Sequence, residues 1–120
     1  MKRDLDLIRK IVLAIEDQPT GYFINEFTIE GYTPEQIGYH SYLIIDSGLA
    51  EGRDATSSID SSPNWQLNNL TSAGHDFADA ARNETTWNKA TGIIKEKAGG
   101  VTLDILKQML ASVNKNTLDI

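Results

Sequence analysis

The sequence predicts an α+β fold in which helices precede and follow a short β hairpin. Three observations favour this fold. Apolar residues recur at three- and four-residue spacing near the start of the chain, a capping box opens a second helix at Thr33, and two short strand-like runs flank a serine-rich loop. The order of two helices, a Gly-Leu exit and a two-stranded hairpin is typical of a winged helix-turn-helix core.

The first helix is predicted over about residues 3–17. Asp4 and Asp6 fall in its first turn, where carboxylates oppose the positive end of the helix dipole. Pro19 and Gly21 end the helix. Its buried stripe is predicted to comprise Leu5, Ile8, Ile11, Val12 and Ile15.

A short strand is predicted at residues 27–29, where apolar and polar side chains alternate. For Tyr22 and Phe23, just before it, a turn of helix and irregular core-filling structure both remain open.

The second helix is predicted from Thr33 to about Ser47. Pro34 occupies the first helical position, Gln36 completes the capping box and Gly48 supplies a left-handed stop. The predicted buried face holds Ile37, Ser41 and Ile44, with His40 and Ile45 at its margin. The opposite face carries four side chains at i, i+4, i+7 and i+11, namely Glu35, Tyr39, Tyr42 and Asp46.

The hairpin is predicted from residues 49–54 and 65–68, joined by a polar and flexible loop. Thr71 is predicted to cap a helix over about 72–82 that buries Phe77, Ala80 and Ala81.

Two further helices are predicted, one capped by Thr85 and reaching about residue 98, the other capped by Thr102 and reaching about residue 113. Gly99 and Gly100 separate them, and residues 114–120 are expected to fray. Their predicted apolar stripes are Trp87, Ala90, Thr91, Ile94 and Ala98, then Leu103, Leu106, Leu110 and Val113. We therefore expect a winged-helix-like domain over residues 1–82 and a C-terminal helical extension, residues 83–120, packed on it.

Charge separates the middle of the chain from its ends. Residues 11–81 hold eleven acidic side chains and one basic side chain, Arg53, whereas each end carries a net charge of +2. Neutralisation of phosphates by Lys and Arg supplies most non-specific DNA affinity. The predicted recognition helix and hairpin would therefore repel a duplex.

Composition excludes several classes of site and protein. Without cysteine, disulfides, thiolate metal sites and cysteine nucleophiles are ruled out. No apolar run approaches the ~20 residues of a membrane span, and charges interrupt the first ten residues, so we expect a cytoplasmic protein without a signal peptide.

Catalytic chemistry is not indicated either. The sequence lacks a nucleophile elbow, a Walker loop and a dinucleotide fingerprint. His40 and His75 have no partner at metal-ligand spacing, and we interpret both as structural. We expect no catalytic residue, no metal site and no cofactor, and we expect that the protein is not an enzyme.

Several segments together resemble a bacterial family that is frequent in phages and prophages and is known as a domain of unknown function. These segments, which cover nearly the whole chain, are 1–11, Tyr39-His40, Ser47-Gly48-Leu49, Leu70-Thr71, Gly74-His75-Asp76-Phe77, Asp79-Ala80-Ala81-Arg82 and Thr86-Trp87-Asn88-Lys89-Ala90. The resemblance implies a mobile-element origin and a winged-helix core, and it implies no catalytic residue.

The function we favour is a non-catalytic protein-interaction module, an adaptor or regulator-binding protein. Glu35, Tyr39, Tyr42 and Asp46 would contact a protein partner with a basic surface, because Tyr is enriched at interface anchors. Tyrosines that merely pack on the terminal segments are the structural alternative. The functional alternative is a DNA-binding transcriptional regulator that acts as a dimer and contacts phosphates through Lys2, Arg3, Arg9, Lys10, Lys89, Lys95 and Lys97.

The C-terminal helices also allow two interpretations. We favour packing of Trp87 and Ile94 on the winged core. Ile105, which lies off the apolar stripe of the last helix, instead favours a homodimer formed through these helices.

Overall fold

The computed structural model describes residues 1–21, 28–96, 103 and 105–110, with residues 93–96 described by their backbone alone. The elements are α1 (Leu5–Glu16), α2 (Pro34–Asp46), β1 (Ala50–Asp54), β2 (Trp65–Leu70), α3 (Ser72–Arg82) and α4 (Glu84–Glu96). Leu103 and residues 105–110 are helical as well. The predicted α+β class is confirmed.

α1 begins one residue after Asp4, whose carboxylate accepts a hydrogen bond from the Leu7 backbone N–H at 3.1 Å. Its buried residues are Leu7, Ile8, Ile11, Val12 and Ile15. The predicted stripe was thus wrong at one position: Leu5, the first helical residue, is half-buried, whereas Leu7 lies one turn before Ile11 and is fully buried.

The predicted strand at 27–29 is wrong at Thr28 and Ile29, which belong to neither β1 nor β2. Phe27 and the undecided Tyr22 and Phe23 lie outside the described residues.

α2 has the boundaries that its capping signals predicted. Thr33 and Gln36 form a complete capping box, and the chain leaves the helix through Gly48, whose φ of 82° is a left-handed conformation that glycine adopts without strain. α2 contacts α1 and both strands, so it lies at the centre of the core that these elements form. Its buried residues are Ile37, Gly38, His40, Ser41 and Ile44.

β1 and β2 pair antiparallel, and a bulge interrupts their register. Ala50 pairs with Leu70 and Glu51 with Asn69, but Gly52 pairs with Leu67, so Asn68 has no partner across the ladder. Without the bulge, Leu67 and Leu70 would face opposite sides, because side chains alternate along a strand. With it, both are buried.

α3 and α4 each begin at a polar cap. The Thr71 hydroxyl accepts from the Gly74 N–H at 3.1 Å, as predicted for α3. The prediction for α4 was wrong: Asn83, not Thr85, is the cap, because its side-chain oxygen accepts from the Thr86 N–H at 3.0 Å. Predicted caps or breaks at Thr102, Gly99 and Gly100 lie outside the described residues.

The chain forms two compact units, residues 1–75 and 76–120. In the second unit the Phe77 and Trp87 rings meet edge to face at 6.1 Å. The stripe residues Leu103, Leu106 and Leu110 are buried, and so are Ala78, Ala80, Ala81 and Ala90. Ile94, Ala98 and Val113 belong to the predicted stripes but their side chains are not among those described. The predicted domain boundary at residue 82 and the packing of the extension stay predictions.

Among the residues that the structure describes, no helix combines the length and the apolar composition that a membrane crossing requires.

Candidate functional site

The outward face of α2 carries the four residues that the sequence suggested as a partner-binding site. Glu35 and Asp46 are exposed near the two ends of the helix, and Tyr39 and Tyr42 lie between them, half-buried. We call these four residues the acidic face. α2 contains neither Lys nor Arg.

An aromatic row leads from α2 to the hairpin. The ring centroids of Tyr39 and Tyr42 are 5.9 Å apart, and those of Tyr42 and Trp65 are 5.4 Å apart. Trp65 is the first residue of β2. Tyr42 therefore packs against the hairpin, and Tyr39 packs against Tyr42 and, edge to face at 5.9 Å, against the ring of His40.

Sequence reasoning did not place Trp65 in this site. The sequence shows only an aromatic side chain at the start of a predicted strand. This does not predict which helix the Trp65 ring packs against.

The basic side chain of the hairpin is engaged within it. Arg53 donates from Nε and Nη2 to the Gln66 side-chain oxygen, at 3.2 and 2.8 Å. Nearby, hydrogen bonds from the Thr56 side chain and backbone lower the pKa of the Asp54 carboxyl, which keeps it ionised. The exposed surface of the hairpin is thus predominantly negative.

The basic residues of the DNA-binding alternative lie in separate parts of the sequence. Lys2 and Arg3 are exposed before α1, Arg9 is half-buried, and Lys89 is exposed on α4. The Lys10 ammonium lies 5.4 Å from the centre of the Tyr32 ring, a cation–π contact. The Lys95 side chain and Lys97 lie outside the described part of the chain.

A polar network joins the start of α1 to α2. The Asp4 N–H donates to His40 Nε2 at 2.8 Å, and the Tyr32 hydroxyl donates to an Asp4 carboxylate oxygen at 3.1 Å. Burial, followed by this hydrogen bond to Asp4, raises the pKa of the Tyr32 hydroxyl. Three segments are held together by these bonds, which span 36 and 28 residues of chain.

His40 is held in one neutral tautomer. Nδ1 must donate to the Gln36 carbonyl oxygen, 2.8 Å away, because a carbonyl can only accept, and Nε2 must accept from Asp4. Burial lowers the pKa of His40, although its hydrogen bond to Gln36 and the charge of Asp4 act in the opposite direction. His40 thus has a structural position, on the buried face of α2.

His75 is an exposed side chain whose Nδ1 lies 3.4 Å from a Glu16 carboxylate oxygen. Such surface pairs contribute little to stability. Within the described segments, no group of three or more His, Asp or Glu side chains could hold a metal ion.

Comparison with known proteins gives the chain its family. A family model described as "Hypothetical protein (DUF2513)" matches residues 2–100, which is most of the chain. The chain belongs to the DUF2513 family. The resemblance to a domain of unknown function is confirmed at this level.

A relative from Haemophilus influenzae is 37% identical over 116 residues, covering 94% of this chain and 95% of the relative. It is described as an uncharacterized protein. No solved structure matches this DUF2513 chain.

Proposed function

We propose that this DUF2513 protein is a non-catalytic protein-interaction module of phage or prophage origin, built on a winged-helix core. Its acidic face would bind a protein partner with a basic surface, which makes it an adaptor or a regulator-binding protein. The proposed phage origin is supported by the sequence resemblance described above.

The winged-helix assignment is supported by the order and contacts of the elements. α1 and α2 precede an antiparallel hairpin, and α2 contacts both the hairpin and α1. In winged-helix proteins that bind DNA, the helix in the position of α2 enters the major groove and the hairpin contacts the backbone.

The absence of Lys and Arg from α2 is the observation that carries the proposal. A helix that reads DNA needs donors for base edges and cations for phosphates. Here the exposed ends of the face are the carboxylates of Glu35 and Asp46, and the Arg53 guanidinium already donates to Gln66.

The same features suit a protein partner. Tyr39 keeps part of its ring exposed beside carboxylates, and tyrosine supplies large contact area at a low cost in conformational entropy. Acidic residues on both sides would steer a basic partner toward the face and fix its orientation.

Reversing the charges of the acidic face should abolish the interaction. We expect the double variant Glu35→Lys and Asp46→Lys to retain basic proteins at least about tenfold less well, because like charges would then meet across the interface. The measurement is retention of the basic proteins of a nuclease-treated bacterial lysate on the immobilised chain, at ~50 and ~200 mM salt.

The matched control is Asp76→Lys with Asp79→Lys, two exposed carboxylates of α3 whose reversal changes the net charge by the same amount. The control should leave retention unchanged. Equal losses in both double variants would show that net charge, not the acidic face, governs binding, and would contradict the proposal.

The DNA-binding alternative makes the opposite prediction. A dimer that gathers the basic residues of both chain ends would bind labelled duplex DNA, and this binding would weaken steeply between ~50 and ~200 mM salt. Fluorescence anisotropy measures this directly. Such binding at tens of micromolar protein would refute the protein-interaction function in favour of a regulator.

A further inference from the structure

The hairpin loop, residues 55–64, is held in shape by its own hydrogen bonds. At its base, the Ala55 N–H donates to the Asn64 carbonyl oxygen, and the Asn64 N–H donates to the Thr56 hydroxyl, both at 2.9 Å. At its tip, the Asp60 N–H donates to the Ser57 carbonyl oxygen at 3.1 Å, and the Asp60 carboxylate accepts from the Ser57 N–H at 2.8 Å. The sequence predicted a flexible loop, whereas this loop is organised at both ends.

Ile59 occupies the centre of the turn at the tip and is 91% exposed. The other exposed large apolar side chains among the described residues are Met1 at 59% and Ile105 at 39%. Single exposed apolar residues are common on protein surfaces. The position of Ile59 is less common, because turn centres favour Gly, Asn, Asp and Ser, and isoleucine contributes nothing to the turn itself.

The charges around Ile59 restrict what could cover it. Asp54 and Asp60 are exposed carboxylates of the loop and its base, Glu51 is exposed on β1, and the Arg53 guanidinium donates to Gln66. Nucleic acid and anionic bilayers would be repelled by these carboxylates. A protein surface with an apolar pocket and a basic rim complements both the apolar tip and the negative surroundings.

We propose that the hairpin loop is an anchor that inserts Ile59 into an apolar pocket on the partner, while Asp54 and Asp60 meet lysine or arginine side chains on the pocket rim. This inference rests on the proposed function and names the contact that would dominate it. Because the loop is already closed by hydrogen bonds, little conformational entropy is lost when it binds.

The test uses the full chain, immobilised, and the basic proteins of a nuclease-treated bacterial lysate as the probe. A photoreactive amino acid in place of Ser58, the exposed neighbour of Ile59, identifies the protein that contacts the tip, and that protein is then purified for affinity measurements. We expect Ile59→Ala to raise the Kd about tenfold or more and Ile59→Val to restore most of the affinity. Because Ile59 is exposed, neither change should alter the circular dichroism spectrum or the unfolding midpoint.

The matched control is Ser58→Ala, which truncates the neighbouring exposed side chain of the same turn and should leave the Kd unchanged. An equal Kd for Ile59→Ala and wild type, together with a loss in the Glu35→Lys and Asp46→Lys variant, would overturn the anchor and leave the proposed function standing. Failure of the wild-type chain to bind any basic protein would overturn both. Binding to phosphatidylglycerol vesicles that is lost in Ile59→Ala would replace the protein partner with a bilayer.

Discussion

Replacing Gly74 with alanine is expected to lower the free energy of unfolding by about 2 to 3 kcal/mol. A Cβ atom at Gly74 would overlap the carbonyl oxygen of Leu49, which is backbone and cannot rotate away. The start of α3 is fixed there by two further bonds, since the Thr71 N–H donates to the Leu49 carbonyl at 3.0 Å and its hydroxyl to the Gly48 carbonyl at 2.6 Å. Urea unfolding followed by circular dichroism measures the change.

Gly92→Ala is the matched control in a helix, because a Cβ atom there would meet nothing within 4 Å. It should stabilise the protein by about 0.5 to 1 kcal/mol, since alanine loses less conformational freedom on folding. Gly21→Ala is a second control, placed in residues 1–75, the same compact unit as Gly74. A Cβ atom at Gly21 would meet nothing within 4 Å, so this change should leave the free energy of unfolding nearly unaltered. A Gly74→Ala protein as stable as wild type would show that α3 does not approach Leu49 so closely.

Acidification should destabilise the protein through His40. The unfolded chain binds a proton at His40 near pH 6.5, whereas burial lowers the pKa of this imidazole in the folded protein. Between these two pKa values the unfolded state holds more protons. The free energy of unfolding should therefore be fully maintained above about pH 6.5 and fall by up to about 1.4 kcal/mol per pH unit below it.

Urea unfolding at several values between pH 8 and 5.5 measures this slope. Protonation also places a hydrogen on Nε2, where the Asp4 N–H donates, so the bond between the cap of α1 and α2 is lost in the same step. His40→Gln should flatten the slope, because a glutamine side chain does not titrate. A slope that survives His40→Gln would assign the pH dependence to another group.

Local signals in the sequence predicted the helix ends well. The capping box at Thr33, the left-handed exit at Gly48 and the cap at Thr71 each involve a few neighbouring residues, and the structure contains all three. The α4 cap was misplaced by two residues because Asn83 and Thr85 are both good caps, and local preference does not choose between them.

The contacts that build the candidate site could not be predicted in this way. The pairing of Tyr42 with Trp65, the bond from Asp4 to His40 and the approach of Gly74 to Leu49 all join residues distant in sequence. Periodicity assigned His40 to the margin of a buried face, but its tautomer depends on a donor 36 residues away. The sequence did indicate that the outward face of α2 lacks cations. This can be read from the residues of one helix and needs no knowledge of distant contacts.

The bulge at Asn68 has a consequence for insertions and deletions in this family. Removal of Asn68 would leave Leu67 and Leu70 two positions apart, so a regular strand would still turn both toward the core. A residue inserted between Gln66 and Leu67 would instead move every side chain on one side of the insertion to the opposite face of the strand. Asn68 is thus a site where β2 can change length by one residue while its leucines stay buried, and relatives with a shorter β2 could lack this residue and keep the same core.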